Sequence, residues 1–367
     1  MRDSLFQNVD AAFRSEARRF VEGELAPRAA RWERDGRFPR AALLACGKRG
    51  YLTLDPWKAA VFAEELARCE SMGVGLNVLV QARLIGPLLE QLGTPRQRAR
   101  FLKPLAAGRA VGALAVSEPT AGSDFANLQC RAERARAGFL ISGEKTYITN
   151  AAAADFLVVA TRLGGEANDL SLLLVPRDTD GVRIRRLASL GLATTAMGHV
   201  TFRGCLVPRG SLLGEVGGGY TYIQEALNRE RLYGGLGAVA WADHALEKTR
   251  AYLRARRAFG HALNRFQAIR HQVADLATSL EAARQLNYAA FARWTAGEDA
   301  TRQIAMVKLF SYRQAQRAIE VCLQLHGGLG YMADHWTSRW YRDARALTIA
   351  AGTPEVMREL IAAHLRL

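Results

Sequence analysis

Three stretches of this 367-residue chain combine residue types that can do chemistry. The first is Ser117-Glu-Pro-Thr-Ala-Gly-Ser-Asp124. It reads as a strand running into a tight turn, where Gly122 lets the backbone approach a ligand closely and Ser117 and Ser123 offer hydroxyls. Taken alone, an ordinary turn between strands accounts for it. The second is Arg256-Arg-Ala-Phe-Gly260, at the end of a long helical pattern. A guanidinium at Arg256 can grip a pyrophosphate through two parallel hydrogen bonds. The third is Leu227-Asn-Arg-Glu-Arg-Leu232. Ala226, Gly234 and Gly237 lie at i−4, i+4 and i+7 from Glu230, so its carboxylate projects from a helix face stripped of bulk. Such a face marks a cavity or very close helix packing. Without further context, Glu230 reads as a surface carboxylate paired with a neighbouring arginine. His326 has no second ligand at helical spacing, and no metal site is expected.

Three regions must position these residues. Residues 1–110 read as helical, with apolar residues such as Phe62, Leu66 and Cys69 at three- and four-residue spacing. Thr94-Pro95 reads as a helix N-cap followed by proline at the first helical position. Residues 111–215 read as a small β-domain. Strands are expected at Phe139–Ser142, Phe156–Thr161, Leu170–Val175, Val182–Arg186 and His199–Phe202, with turns at Gly164-Gly165 and Asp180-Gly181. Residues 216–367 return to helix, expected at 219–256, 264–297, 300–326 and 354–366. The fold class is α+β, mainly α.

Lys+Arg minus Asp+Glu is 50 − 35 = +15. Such a charge favours acidic partners, whether nucleic acid, phosphate-rich cofactors or acidic protein surfaces; a codon bias towards arginine is the bland alternative. Five cysteines lie far apart with no Cys-x-x-Cys, which argues against a zinc site or disulfide framework and for a cytoplasmic protein. No apolar run is expected to reach the roughly 18 residues of a membrane span. The start of the chain, with Asp3, Gln7, Asn8 and Asp10, shows no signal-peptide pattern.

Four segments together carry a family resemblance. They are Ala115–Asp124 with Gly143-Glu-Lys-Thr-Tyr-Ile-Thr-Asn150, Arg256–Gly260 with Phe266-Gln267, Gln324-Leu-His-Gly-Gly-Leu-Gly-Tyr331 with Arg342-Asp343, and Ala350-Ala-Gly-Thr353. In this order and spacing the chain resembles the acyl-CoA dehydrogenase family over nearly its whole length. The resemblance implies an N-terminal helical domain, a central β-domain and a C-terminal four-helix bundle. It also implies FAD. Leu114, Val116, Ser117, Gly122 and Ser123 would run along the flavin and its ribityl chain, with Ser123 also facing substrate. Tyr147, Ile148 and Thr149 would form the opposite wall. Arg256 and Phe259 would meet the pyrophosphate of a neighbouring subunit's FAD, with Phe266 and Gln267 beside the adenosine half. Gln324, Gly327 and Gly328 match cross-subunit contacts, and Thr353 and Glu355 match adenine-side ones. A homo-oligomer follows, most often a tetramer.

The implied reaction removes the α-proton of an acyl thioester while hydride leaves the β-carbon for flavin N5. It needs a desolvated carboxylate. In most relatives that carboxylate precedes Gly-Thr in the last segment, where this chain has Ala351. Isovaleryl- and long-chain-type members carry it on the long C-terminal helix instead, and Glu230 stands at that position. Arg231 and Asn228 match substrate-side contacts. The Ala351 N–H would donate to the thioester oxygen, and Ala350 would leave room for a branched or cyclic acyl group. Relatives carry a longer loop where this chain has only Asp55-Pro56, which points to an altered mouth. The substrate expected is an acyl-CoA or a carrier-protein-bound acyl group, and the electron acceptor an electron-transferring flavoprotein or oxygen. Two alternatives share the fold: a flavin monooxygenase or oxidase, which needs no helix carboxylate, and a DNA-binding flavoprotein of the alkylation-response type. Only non-specific DNA binding and no membrane partner are expected.

Overall fold

The computed structural model describes residues 11–164 and 170–367. The start of the chain weighed against a signal peptide, and Gly165 of the expected turn, lie outside the described residues.

The first region folds as α1 (11–35), α2 (Arg40–Lys48), α3 (Pro56–Glu65), α4 (Met72–Leu92) and α5 (95–106). Local chemistry sets their starts. The Asp55 carboxylate accepts from the Trp57 and Lys58 N–H groups, with Pro56 opening α3. Thr94 and Gln97 close a reciprocal capping box at the start of α5, as Thr94-Pro95 suggested. One expectation is corrected. α4 is 21 residues long, and its best 18-residue window reaches a mean hydropathy of 1.4, enough to cross a membrane by length and composition. Yet 83% of that window is buried inside the protein. A π turn over Val80–Ile85 interrupts it. Its polar residues are satisfied by neighbouring elements: Gln81 Nε2 donates to Gly112 O at 3.0 Å and Arg83 Nη1 to Leu54 O at 3.0 Å. A smooth apolar count missed α4 because Asn77, Gln81 and Arg83 break the run without breaking the helix.

The strands are β1 (Gly112–Ala115), β2 (Arg131–Ala135), β3 (Gly138–Ile148), β4 (Phe156–Arg162), β5 (Leu170–Pro176), β6 (Val182–Arg186), β7 (Gly198–Pro208) and β8 (Leu212–Leu213). They form one mixed sheet in the order β6-β7-β3-β2-β4-β5-β8, with β1 parallel to β4. The five expected strands are present. β1, a Gly-Ala-Leu-Ala run, and the charged β2 carry little intrinsic strand preference, so neighbours rather than propensity make them strands.

The last region folds as α6 (Gly219–Ala255), α7 (Gln267–Thr295), α8 (Thr301–His326), α9 (Trp336–Leu347) and α10 (Pro354–His364). α9 was not expected. Its Trp340 is fully buried and meets Trp241 of α6 edge-on, with ring centroids 4.8 Å apart. The long helices were legible to within three residues at each end.

One apolar cluster joins the regions. Ile85 and Leu88 of α4, Leu172 and Leu174 of β5, and Ile223 and Ala226 of α6 pack together, with Leu114 and Val116 against them. Each large aliphatic side chain so buried contributes about 1.5–3 kcal/mol. The cluster fixes the segment after β1 against α6, one turn before Glu230.

Candidate active site

Glu230 is half-buried and makes no hydrogen bond or ion pair with any described residue. The expected alternative, a carboxylate paired with a neighbouring arginine, is therefore not what the structure holds. Burial pushes its carboxyl pKa up, offset in part by the positive charges of Lys308 and Arg231.

Arg231 does not pair with Glu230 directly. Its Nε donates to Ala351 O at 2.7 Å, and its Nη1 donates to Asn228 Oδ1 at 2.9 Å. The guanidinium thus ties α6 to the 350–353 segment. Ala351 itself sits at φ 56° and Gly352 at φ 106°, a left-handed stretch that costs a residue with a Cβ about 1 kcal/mol or more. Ala350 beside it is exposed.

The small-residue face beside Glu230 resolves into close packing at Gly234. A Cβ there would lie 2.1 Å from the Tyr312 hydroxyl, which donates to Arg231 O at 3.0 Å. At Gly237 a Cβ would meet only ordinary contacts, 3.7 Å from Ala63 O and 3.9 Å from Leu79 Cδ1. Lys308 lies beneath, with Nζ 3.8 Å from the centre of the Tyr312 ring and donating to Leu347 O.

On the β-domain side, an ion pair that sequence reasoning passed over shapes the site. Lys145 Nζ donates to Glu118 Oε1 at 2.7 Å and to Val116 O at 2.9 Å, with both side chains buried. Glu118 also accepts from the Gln129 and Cys130 N–H groups. Thr146 N–H donates to Ser117 O at 2.9 Å. These bonds bring Leu114, Val116 and Ser117 alongside Tyr147, Ile148 and Thr149. Both ionic residues stood inside the quoted motifs; a buried Glu-Lys pair was the unread signal. Ile148 points inward, while the Tyr147 ring is 68% exposed at φ 58°. Gly122 and Ser123 lie on the exposed turn, and a Cβ at Gly122 would meet nothing within 4 Å.

The remaining candidates lie at the ends of the last-region helices. Arg256 caps α6, and Phe259 (φ 48°) turns the hairpin formed by Arg257–Ala258 and His261–Ala262. Phe266 meets Phe259 edge-on at 6.3 Å, and Gln267 opens α7. Gln324, Gly327 and Gly328 are exposed at the end of α8, with open space around both glycines. Thr353 caps α10 through Val356 N–H, and Glu355 stands in solvent beside Arg358. Of these, Thr353 belongs to the 350–353 segment that Arg231 ties to α6, while none of the others bonds to Glu230. His326 is buried, with Nδ1 2.7 Å from Cys322 O, and its ring stacks on Tyr252 at 4.3 Å, a structural setting. Among the described residues no cluster of three metal-ligating side chains occurs.

Arg83 and Tyr233 secure the shortened 55–56 loop. Arg83 holds Leu54 O, and the Tyr233 hydroxyl donates to Pro56 O at 3.2 Å. A separate polar cleft of about 520 Å³ between α1, α3, α6 and α7 contains compensating pairs such as Arg14–Glu64 and Arg284–Asp243. It lies away from the unpaired carboxylate, and its charges neutralise one another.

The half-buried, unpaired Glu230 thus sits in a fold of helical region, β-domain and helical bundle, and the relatives and solved structures that share this fold indicate a flavin oxidoreductase acting on CH–CH bonds. The sequence patterns of the acyl-CoA dehydrogenase N-terminal, middle and C-terminal domains match residues 8–109, 113–205 and 217–366, and the chain belongs to the acyl-CoA dehydrogenase family. It is 30% identical to the long-chain specific acyl-CoA dehydrogenase of Sus scrofa, over 98% of this chain and 86% of that protein. It is 30% identical to the isovaleryl-CoA dehydrogenase of Oryza sativa, over 98% and 92%. A solved structure of a probable acyl-CoA dehydrogenase from Mycobacterium abscessus superposes with a TM-score of 0.93 at 33% identity, covering 96% of this chain and 98% of that one.

Proposed function

We propose that the protein carries out FAD-dependent α,β-dehydrogenation of an acyl thioester, with Glu230 as the base. The observation that carries this reading is a half-buried, unpaired carboxylate on α6, whose pKa desolvation raises above the ordinary carboxylate value. The 114–123 and 147–149 segments fit a flat aromatic group: they run side by side, Gly122 leaves open space, and the Tyr147 ring is presented outward. FAD bound there would supply the hydride acceptor at N5.

The chain's own residues do the rest. Glu230 takes the α-proton onto a carboxylate oxygen. Arg231 fixes the 350–353 segment, so that the Ala351 N–H can face the thioester oxygen and hold enolate charge. Asn228, bonded to Arg231, stands on the substrate side of the same helix. Arg256, Phe259, Phe266, Gln267, Gln324, Gly327, Gly328, Thr353 and Glu355 are exposed or half-buried in the single chain, consistent with contacts to a cofactor shared across an interface. The acyl group is free to be CoA- or carrier-bound, since the altered 55–56 mouth does not choose between them.

Anaerobic mixing with a panel of acyl-CoA and acyl-carrier thioesters tests the reading. The flavin absorbance of the purified protein should bleach with at least one of them. Glu230→Gln should keep the absorbance and lose bleaching by about 10²-fold or more. Bleaching at the wild-type rate in that variant would remove Glu230 from the chemistry.

A further inference from the structure

Lys308 is 4% exposed, and its ammonium pairs with no carboxylate among the described residues. An unpaired buried ammonium is costly, by several kcal/mol in general. Its contacts are the carbonyl of Leu347, at the negative end of α9, and the face of the Tyr312 ring. Tyr312 in turn holds the Arg231 carbonyl, and Gly234 has no side chain so that the hydroxyl can reach it. Gly234 lies one turn from Glu230 on the same face of α6, so the Lys308–Tyr312 pair packs against the face that carries the carboxylate, and Glu230 is the anion whose charge is felt by both Lys308 and Arg231. Arg231 is engaged by Ala351 and Asn228, whereas Lys308 is left to act through space.

We propose that Lys308 is a positioning residue for the base: its buried ammonium keeps the Glu230 carboxyl ionised in a site that would otherwise protonate it. The inference rests on the reading of Glu230 as the base. The titratable groups coupled to Glu230 through charge are Arg231 on its own helix and Lys308 and Tyr312 on α8. Burial holds Tyr312 well above the ordinary phenol range, so it stays neutral and contributes no charge. Burial also pulls Lys308 down to about 7, which places its charge at the edge of loss at neutral pH. Loss of that charge as pH rises would raise the carboxyl pKa, so the support Lys308 gives is fully present only below about neutral pH.

The competing explanation is that Lys308 only caps α9 through Leu347. Infrared difference spectroscopy of the FAD-loaded protein separates the two. The C=O stretch of the protonated Glu230 carboxyl, assigned by its loss in Glu230→Gln, is followed against pH. Lys308→Gln keeps a donor for Leu347 and removes the charge; Lys308→Met removes both; Lys308→Arg keeps the charge. The midpoint should rise by about one unit or more in Lys308→Gln and Lys308→Met and stay near the wild-type value in Lys308→Arg. With isovaleryl-CoA as probe, the acid limb of flavin bleaching should move by the same amount. Equal midpoints in wild type and in whichever of the two neutral variants folds would overturn the proposal. The infrared titration needs no turnover, so its failure is distinct from a failure of Glu230 as base, which the bleaching rate of Glu230→Gln reads separately.

Discussion

A carboxylate abstracts a proton only when ionised, and burial drives Glu230 towards the protonated form. The pH dependence follows from that sign. Flavin reduction should fall as pH drops through a midpoint above the ordinary glutamate value, and stopped-flow bleaching between pH 5 and 9 would show it, pH being the set variable. A base with an ordinary midpoint would contradict the burial argument. The same shift bears on stability. The folded chain holds the Glu230 proton at higher pH than the unfolded chain, so the fold weakens as pH rises through the ordinary carboxylate range. Glu230→Gln removes that penalty. Its melting temperature should exceed wild type by a few degrees at neutral pH and match it near pH 4, as expected where function costs stability. Ala351 provides a complementary test. Arg231 pins its carbonyl to α6, so a carboxylate placed there stays near Glu230. Ala351→Glu in the Glu230→Gln background should recover part of the bleaching rate, although the left-handed φ there costs any side chain something.

At the scale of elements, α6 and α8 meet through a hydroxyl seated in a missing side chain. Gly234→Ala should overpack Tyr312 and cost about 1–3 kcal/mol. In a Tyr312→Phe background the hydroxyl clash is gone and only a tight 3.2 Å approach to the ring carbon remains, so the same change should cost clearly less than in the wild type, the helix preference of alanine over glycine offsetting part of it. Melting temperatures of the four proteins give the coupling; additive effects would mean that the two residues do not meet. Glu70 makes a second junction. It accepts from Lys248 at 2.7 Å and meets His244 at 3.0 Å, while its carbonyl takes Arg339. Burial would raise its pKa, but His244 and Lys248 outweigh that and bring it to about 2. A depressed carboxyl stabilises above the unfolded value and loses the effect as pH falls towards 2. Glu70→Gln should therefore cost about 1–2 kcal/mol at neutral pH, with the gap to wild type closing between about pH 5 and 2. These junctions also mark what the sequence could show. The long periodic helices and the β-branched strands were legible because local pattern and final structure agree. β1, β2 and α9 were not, because tertiary partners override weak or mixed local preference there. The Glu230 face was legible as small, but the sequence could not say that Tyr312 fills it at Gly234. The Glu118–Lys145 pair was hidden because burial of two charges is a property of the assembled sheet.

For the whole molecule, the exposed surface is the part left unexplained by one chain. Phe259 is 92% exposed, Tyr331 78% and Tyr147 68%, and Leu329 and Met332 are exposed beside Gly327 and Gly328. Large apolar groups left in water are a common mark of a surface that a partner covers. Arg256, Gln267 and Gln324, polar groups suited to a phosphate-bearing ligand, are also exposed in the single chain. Under the proposed function, a second copy of the chain with FAD shared between the two would cover these apolar groups and engage these polar ones. On that reading the net charge of +15 would serve anionic ligands, and DNA should bind only weakly and lose affinity steeply with salt. Ligand and assembly are coupled under this arrangement, because a cofactor that touches two chains stabilises only the associated state. Arg256→Gln should lower FAD content at equal protein concentration. It should also shift the protein towards smaller species in light-scattering chromatography, and excess FAD should restore both. Full flavin occupancy in that variant, or a wild-type protein that elutes as a yellow monomer, would place Arg256 outside the cofactor site and leave the apolar surface to some other partner.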